Sequence, residues 1–274
     1  MYDTAPLSPQ MQRARGRAAV SFVAGAQGAR LKDLHQSGSA KAMLPQMHGA
    51  APEVVFLNTA GGLTGGDQMR FALDLGAGVT VTATTQTAER AYASREGVAD
   101  LNVDLSVGAG GRLDWLPQET ILFDKAGLHR RTTVKLAADA QVLMTETVVL
   151  GRHAMGEVVE TLAFRDHREV LRDGIPVLTE PLALDSVILK RAGQSALLGG
   201  ARAMATVALI APGAEDAAAR LGEVAQDNVE VASSGWNGKC VARALSTDAY
   251  ALRLWVAQAI QVLRPGPLPR VWQR

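Results

Sequence analysis

Hydrophobic and polar residues alternate through the first two thirds of the chain, and this alternation predicts β-strands. Period-two segments occur at residues 79–82, 101–105 and 129–136, and glycine-rich turns separate them. Residues 17–182 are therefore predicted to form a β-rich body. Residues 1–16 show no such pattern and are expected to be a poorly ordered N-terminal segment.

Helical spacing replaces the alternation after about residue 183. Residues 214–226 place four alanines and Leu221 on one face, which predicts a helix. A second helix is expected from Asp248 to Leu263, where Pro265 would end it. Between the two helices, a strand pair is expected at 229–233 and 239–245. Residues 183–274 are thus predicted to be an α+β portion packed on the body, with one domain overall.

A weak internal repeat crosses the middle of the body. LDLGAGVTVTATTQ ends at Gln86, LSVGAGGRLDWLPQ at Gln118 and VKLAADAQVLMTET at Thr147, so the copies are offset by 32 and 29 residues. Each copy reads as strand, small-residue turn, strand. Such units can stack so that neighbours cover each other's apolar faces, as in a β-solenoid. Successive hairpins of a sandwich would give a similar pattern, and periodicity alone leaves both architectures open.

The amino-acid composition narrows the classes of function open to this protein. The 274 residues include 28 Lys and Arg against 27 Asp and Glu, so the net charge of +1 gives no broad basic field for nucleic acid or anionic lipid. The single cysteine, Cys240, has no internal disulfide partner and suits a reducing compartment. With no apolar run of about 20 residues, a membrane span is not expected. A cytoplasmic location is the expectation.

The sharpest local motif is GGLTGGD, in which two glycine pairs bracket two residues and precede Asp67. Glycines permit positive φ and close backbone approach, so a phosphate nest in an enzyme, with Asp67 holding Mg²⁺, is one interpretation. The spacing matches neither GxxxxGK[ST] nor GxGxxG before a helix. The other interpretation is a bulged turn that aims Asp67 outward. The loop-shaping glycines are Gly61, Gly62, Gly65 and Gly66.

Polar residues also recur at the ends of the predicted strands. Glu119 and Glu146 occupy similar points of the repeat, so stacking would align carboxylates along one path. Buried carboxylates are costly unless they are paired or visited by a cation, which points to cation traffic. A solvated row of surface acids is the alternative. A second polar cluster at 84–92 contains Thr87, Glu89 and Arg90, with Tyr92 at its end.

Five motifs, in order over most of the chain, carry a family resemblance. They are GGLTGGD, TTQTAERAY, LDWLPQETILFDKA, TETVVLGRHAMGE and LRPGPLPRVWQR. Through them the chain resembles the UreD/UreH family of urease accessory proteins. The resemblance implies a mainly β fold of stacked sheets, β-helix-like in the body, with two helices in the C-terminal third. It also implies a non-enzymatic chaperone for nickel insertion and metallocenter assembly in nitrogen metabolism.

The resemblance further implies partners and cargo. The partners are a UreF-like helical accessory protein, a UreG-like GTPase reached through it, and apo-urease, and a dimer of heterotrimers is compatible with this set. Nickel(II) would pass transiently, with no tightly bound cofactor, because oxygen ligands release Ni(II) more readily than histidine or thiolate. The implied nickel path comprises Asp67, Glu146 and Glu180. The implied tunnel lining comprises Thr87, Glu89, Arg90, Tyr92 and Glu119.

Overall fold

Seventeen β-strands dominate the computed structural model, which describes residues 12–26, 28–46, 51–264 and 266–273. The prediction of a mainly β fold is confirmed. The strands are β1 Arg15–Gly25, β2 Gly28–Gly38, β3 Ala40–Met43, β4 Glu53–Asn58, β5 Gln68–Leu75, β6 Thr80–Thr85, β7 Glu89–Ala91, β8 Ala99–Val107, β9 Arg112–Leu116, β10 Thr120–Leu122, β11 Ala126–Leu136, β12 Gln141–Leu150, β13 Leu162–Arg172, β14 Ile175–Asp185, β15 Ala203–Ile210, β16 Val229–Trp236 and β17 Lys239–Ser246.

The α-helices of the described residues all follow residue 183. They are α1 Ser186–Lys190, α2 Ala217–Gly222 and α3 Ala249–Leu263, and short 3₁₀ turns lie at His153–Met155, Ala214–Asp216 and Arg270–Trp272. None of these helices is long and apolar enough to cross a membrane.

One helix was not predicted, and the bounds of another need correction. Helix α1 was not predicted, because five residues are too few to show a helical period; Asp185 caps it by accepting hydrogen bonds from two backbone N–H groups. The helix expected at 214–226 begins as a 3₁₀ turn, and its α-helical part ends at Gly222, a residue of low helix propensity.

The predicted strand pair is confirmed as β16 and β17. The predicted stop at Pro265 lies outside the described residues.

The strands form two sheets. Sheet A has the order β14-β13-β11-β8-β5-β1-β2, and sheet B has the order β16-β17-β15-β12-β9-β6-β4-β3, with β10 and β7 paired beside β12. Strands β15 to β17, from the α+β portion, therefore extend a sheet of the body. At the other end of the chain, β1 begins at Arg15, and residues 1–11 of the predicted N-terminal segment lie outside the described residues.

The pairing of the strands confirms the internal repeat residue by residue. In sheet A, Leu73 lies beside Leu105, and Leu105 lies beside Val134. In sheet B, Val81 lies beside Leu113. Each copy thus gives one strand to each sheet, and the offsets of 32 and 29 residues are those of neighbouring parallel strands. This is the stacked, solenoid-like arrangement rather than a series of independent hairpins.

Buried side chains form one layer on each face of sheet B. Between the sheets, the ring of Phe56 lies 5.0 Å from that of Phe71 and 6.1 Å from that of Trp115. On the other face of sheet B, helices α2 and α3 bury a second apolar cluster that includes Trp255 and Cys240. The molecule is therefore layered as sheet, sheet and helices.

The C-terminal tail is tied to sheet B. The indole N–H of Trp272 donates to the carbonyl of Leu116 at 3.0 Å, and the Nε of Arg264 donates to Asp114 at 2.9 Å. The LRPGPLPRVWQR motif thus has a structural role in covering the sheet.

Replacing Trp255 with alanine tests the helical layer. Trp255 is fully buried and donates its indole N–H to the carbonyl of Val224 at 3.1 Å, so Trp255→Ala should cost about 3–5 kcal/mol of unfolding free energy. Tyr250→Ala on the same helix is the control, because Tyr250 is 67% exposed; it should cost less than about 0.5 kcal/mol. Urea denaturation measures both, and equal midpoints would contradict this packing.

Candidate functional site

The glycine loop between β4 and β5 requires its glycines for two different reasons. Gly61 and Gly66 have φ of +80° and +87°, a region that favours glycine. Gly62 and Gly65 instead sit where a side chain has no room. A Cβ on Gly62 would lie 2.7 Å from the carbonyl oxygen of Arg90, and one on Gly65 would lie even closer to a facing backbone oxygen. The loop is thus closely packed against the chain around β7.

Asp67 closes this loop from within. Its side chain is buried, and its two carboxylate oxygens accept backbone N–H bonds from Ala14 and Thr64, each at 2.8 Å. The expectation that the turn aims Asp67 outward is therefore wrong, because the carboxylate joins the loop to the chain entering β1. Each oxygen retains a further lone pair for another donor or a cation.

Glu89 lies beside the same loop. Its carboxylate accepts a 3.3 Å hydrogen bond from the side-chain amide of Asn58 and a 3.2 Å bond from the backbone N–H of Arg90. Burial raises the pKa of Glu89 to about 7, and the negative charge of Asp67 adds to the rise. Gly61, Thr87, Glu89 and Arg90 all line a cavity of about 50 Å³ here. The Tyr92 hydroxyl donates to the carbonyl of Gly61 at 3.1 Å.

A separate group of charged side chains lies between the two sheets, and we call it the interior charge network. At its buried end, the Glu146 carboxylate lies 2.7 Å from a guanidinium nitrogen of Arg130 and accepts a 3.3 Å bond from the indole N–H of Trp115. Arg130 also donates two hydrogen bonds to Asp166, at 3.0 and 2.7 Å. The members of the network are Arg130, Glu146, Asp166, Arg168, Glu180 and Arg243.

The network continues from Asp166 to the surface. Arg168 lies 3.3 Å from Asp166 and 3.5 Å from Glu180, and Glu180 is paired with Arg243. The side chain of Glu146 is 3% exposed whereas that of Arg243 is 58% exposed. A continuous series of ion pairs therefore leads from the interior to solvent. A cavity of about 420 Å³ follows it and is lined by Glu146, Asp166, Glu180, Leu197, Leu198 and Met204.

Strand register assembles this network. Arg130 on β11 lies beside Asp166 on β13, and Arg168 on β13 lies beside Glu180 on β14. Asp166 and Arg168 follow Phe164 in the inward-facing phase of β13. Arg130, Asp166, Arg168 and Arg243 were not predicted as site residues from the sequence. The available signal was charge at positions where the alternation calls for apolar residues.

Opposing effects set the protonation of the two inner acids. Burial raises the pKa of Glu146 above its ordinary value despite the nearby positive charge of Arg130. Burial also disfavours ionisation of Asp166, but the charge and hydrogen bonds of Arg130, with the charge of Arg168, lower its pKa overall. Asp166 is therefore the fixed anion of the network, and Glu146 is the acid that accepts a proton more readily.

The side chain of Glu119 belongs to neither group, although its backbone carbonyl accepts a 2.9 Å hydrogen bond from the N–H of Glu89. The Glu119 carboxylate pairs with Arg253 of helix α3 at 3.1 Å, on the helical side of sheet B, whereas Glu146 faces the space between the sheets. The expected alignment of Glu119 with Glu146 is therefore wrong. Strand β9 ends just before Pro117 and pairing resumes only at Thr120, so the repeat loses its register there.

The predicted site residues thus fall in three places in the structure. Asp67, Glu89 and Tyr92 belong to the glycine-loop group, with Thr87 and Arg90 exposed at its rim. Glu146 and Glu180 belong to the interior charge network, and Glu119 lies on the helical side of sheet B. Within the four described ranges, no three His, Cys, Asp or Glu side chains converge as a metal site.

Comparisons with known proteins agree on one family. A family model described as UreD urease accessory protein matches residues 14–273. A Urease accessory protein UreD of Cereibacter sphaeroides is 53% identical over 264 residues, covering 96% of each chain. Proteins of the same name from Dinoroseobacter shibae and Paracoccus denitrificans are 53% and 48% identical, covering 99% and 100% of this chain and 96% of each relative.

These matches place the protein in the class of urease accessory proteins. The chain belongs to the UreD family, and the resemblance carried by its five motifs is confirmed.

The two inner acids should differ in their contribution to stability. Asp166→Asn removes the anion shared by two buried arginines and should cost about 3–5 kcal/mol, whereas Glu146→Gln leaves Arg130 its two bonds to Asp166 and should cost about 1–3 kcal/mol. Asp104→Asn, which breaks a half-exposed pair, should cost no more than about 1 kcal/mol. Chemical denaturation gives the ranking. An Asp166→Asn loss no larger than the Asp104→Asn loss would refute it.

Glu89 should make stability depend on pH near neutrality. Because the folded pKa of Glu89, about 7, exceeds its ordinary value of 4.5, the folded state binds more protons than the unfolded state between these pH values, and the contribution of Glu89 to stability is lost as pH rises through 7. Glu89→Gln should therefore flatten the fall in unfolding free energy between pH 5 and 8. Urea midpoints across this range measure how stability depends on pH. An equal pH dependence for the wild type and Glu89→Gln would refute the raised pKa of Glu89.

Proposed function

We propose that this protein acts in urease maturation as a scaffold that bridges apo-urease to a UreF-like helical protein and, through it, to a UreG-like GTPase. The family membership and the name shared by its relatives support the role in maturation. A body of two stacked sheets, covered on one side by helices and by a tail bonded to sheet B, suits a protein that holds others in place.

We further propose that the interior charge network conducts nickel(II) as cargo. The observation that carries this proposal is the series of ion pairs along the inter-sheet cavity, from buried Glu146 to exposed Arg243. In the absence of cargo, three arginines balance three carboxylates, which offsets the cost of burying the acids. A divalent cation that replaces an arginine contact meets oxygen ligands, which hold Ni(II) weakly enough for onward transfer.

Asp67 is included in the proposed path together with Glu89. The two carboxylates interact, since the charge of Asp67 contributes to the raised pKa of Glu89. Their group forms a second acidic position, separate from the one around Glu146 and Glu180. In this proposal the glycines keep the loop closely packed around it.

The hydrogen bonds of the GGLTGGD loop argue against the alternative of a phosphate-binding enzyme. A phosphate nest needs free backbone N–H groups that point at the ligand. Here the N–H groups of Leu63 and Gly66 donate to carbonyls of facing strands and loops, and that of Thr64 donates to the Asp67 carboxylate. These three donors are therefore already engaged within the protein and do not point at a ligand.

Nickel content of matured urease tests the path. Urease matured with Glu146→Gln or Glu180→Gln should contain less nickel per assembled complex, because each change removes one anionic ligand while keeping side-chain size. Asp74→Asn, on the outer face of sheet A, is the control and should load nickel as wild type does.

Co-purification of the accessory proteins and urease, measured on the same samples, separates the two proposals. Wild-type nickel loading by both variants and by the double variant would refute the carboxylate path and leave the scaffold role intact. A chain that fails to co-purify with its partners would refute the scaffold.

A further inference from the structure

The outer face of sheet A carries an unusual arrangement of charge. Strands β1, β5, β8, β11 and β13 are parallel and in register, so their outward side chains form straight rows. Neighbouring strands lie about 4.8 Å apart, and a row across five strands spans about 19 Å. One row consists of Arg17, Arg70, Asn102, Arg131 and His167, and the next consists of Arg15, Gln68, Asp100, His129 and Arg165.

These two rows form what we call the basic strip. They hold five arginines and two histidines against a single acid, Asp100, in a protein whose total net charge is only +1. Arg70 is paired with Asp104 at 2.8 Å in the adjoining row. Among the described residues, the side chains of Arg131 and Arg165 form no ion pair, and both are exposed. Their charge is therefore available to a ligand.

The strip is concave at two points. A hollow of about 600 Å³ is lined by Arg15, Arg17 and Arg70 among others. A second, of about 370 Å³, is lined by Arg131 and Arg165 together with the two histidines. Side chains of a bound segment would thus have recesses to enter, with guanidinium groups at their edges.

The opposite end of the same strands has the opposite charge. Asp74, Asp104 and Glu169 face outward there, with Lys135 as the basic residue among them. A ligand with negative charge along its whole length would be repelled beyond the strip. The face therefore favours a ligand of limited length, lying across the strands.

We propose that the basic strip is a docking surface for an acidic segment of a protein partner. Charge complementarity carries the choice of occupant. A nucleic acid is disfavoured because the strip has no Phe, Tyr or Trp for base stacking and is flanked by acids. A second copy of this chain is disfavoured because the face has no large apolar side chain at its centre to sustain a stable dimer. The inference is independent of the proposed nickel path.

Charge reversal tests the strip. The full-length protein should bind a fluorescent peptide of about ten glutamates at low salt, and the affinity should fall as salt is raised. The double variant Arg131→Glu/Arg165→Glu should weaken this binding at least about tenfold. Lys32→Glu/Lys135→Glu is the matched control, because it changes the net charge equally at exposed positions outside the strip. Fluorescence anisotropy measures both.

The proposal would be overturned if the peptide did not bind at low salt or if the control variant lost as much affinity as Arg131→Glu/Arg165→Glu. Tighter binding of an oligothymidylate of equal charge would also overturn it. Unfolding midpoints should match the wild type in both variants, since all four side chains are exposed. Should the reversal lower the midpoint, Arg131→Gln/Arg165→Gln repeats the test without introducing negative charge. The neutral pair should weaken binding too, by a smaller factor, and unchanged affinity would count against the strip.

Discussion

The parallel hydrogen-bonded pairing between successive repeats is the constraint on which the rest of this structure depends. Once Leu73, Leu105 and Val134 lie side by side, every second residue of their strands is committed to the space between the sheets and every other one to the outside. The apolar core, the interior charge network and the basic strip are three results of one register. A slip of one residue in any of these strands would exchange the inward and outward sets.

The interior charge network shows how such a register tolerates buried charge. Asp166 is stabilised by Arg130 on the neighbouring strand and by Arg168 two residues along its own strand. These arginines also contact Glu146 and Glu180, respectively. Removal of an end member leaves its neighbours partnered. Removal of the central anion takes a partner from both buried arginines at once and leaves each with a single acid, which is more costly. The network therefore has a structural centre and ends that are freer to exchange partners.

The sequence predicted the sheets because alternation and a repeat of 32 and 29 residues are local signals. It did not predict the pairing of Arg130 with Asp166, because β13 lies outside the three recognisable copies and its register with β11 could not be inferred from them. Asp67 was recognised as notable but its direction was wrong, since its two backbone partners are fixed only in three dimensions. Glu119 was placed in the wrong row because Pro117 interrupts the repeat.

The tail that is tied to sheet B has a consequence for biosynthesis. The indole of Trp272 bonds to a carbonyl 156 residues earlier in the chain, so this contact forms only after residue 272 has left the ribosome. Until then the second apolar layer is incomplete, and part of the outer face of sheet B lacks its cover on a nascent chain whose two sheets are already synthesised. The interval before this contact forms is therefore a period of increased risk of aggregation, and a chain that lacks Trp272 would keep that exposure.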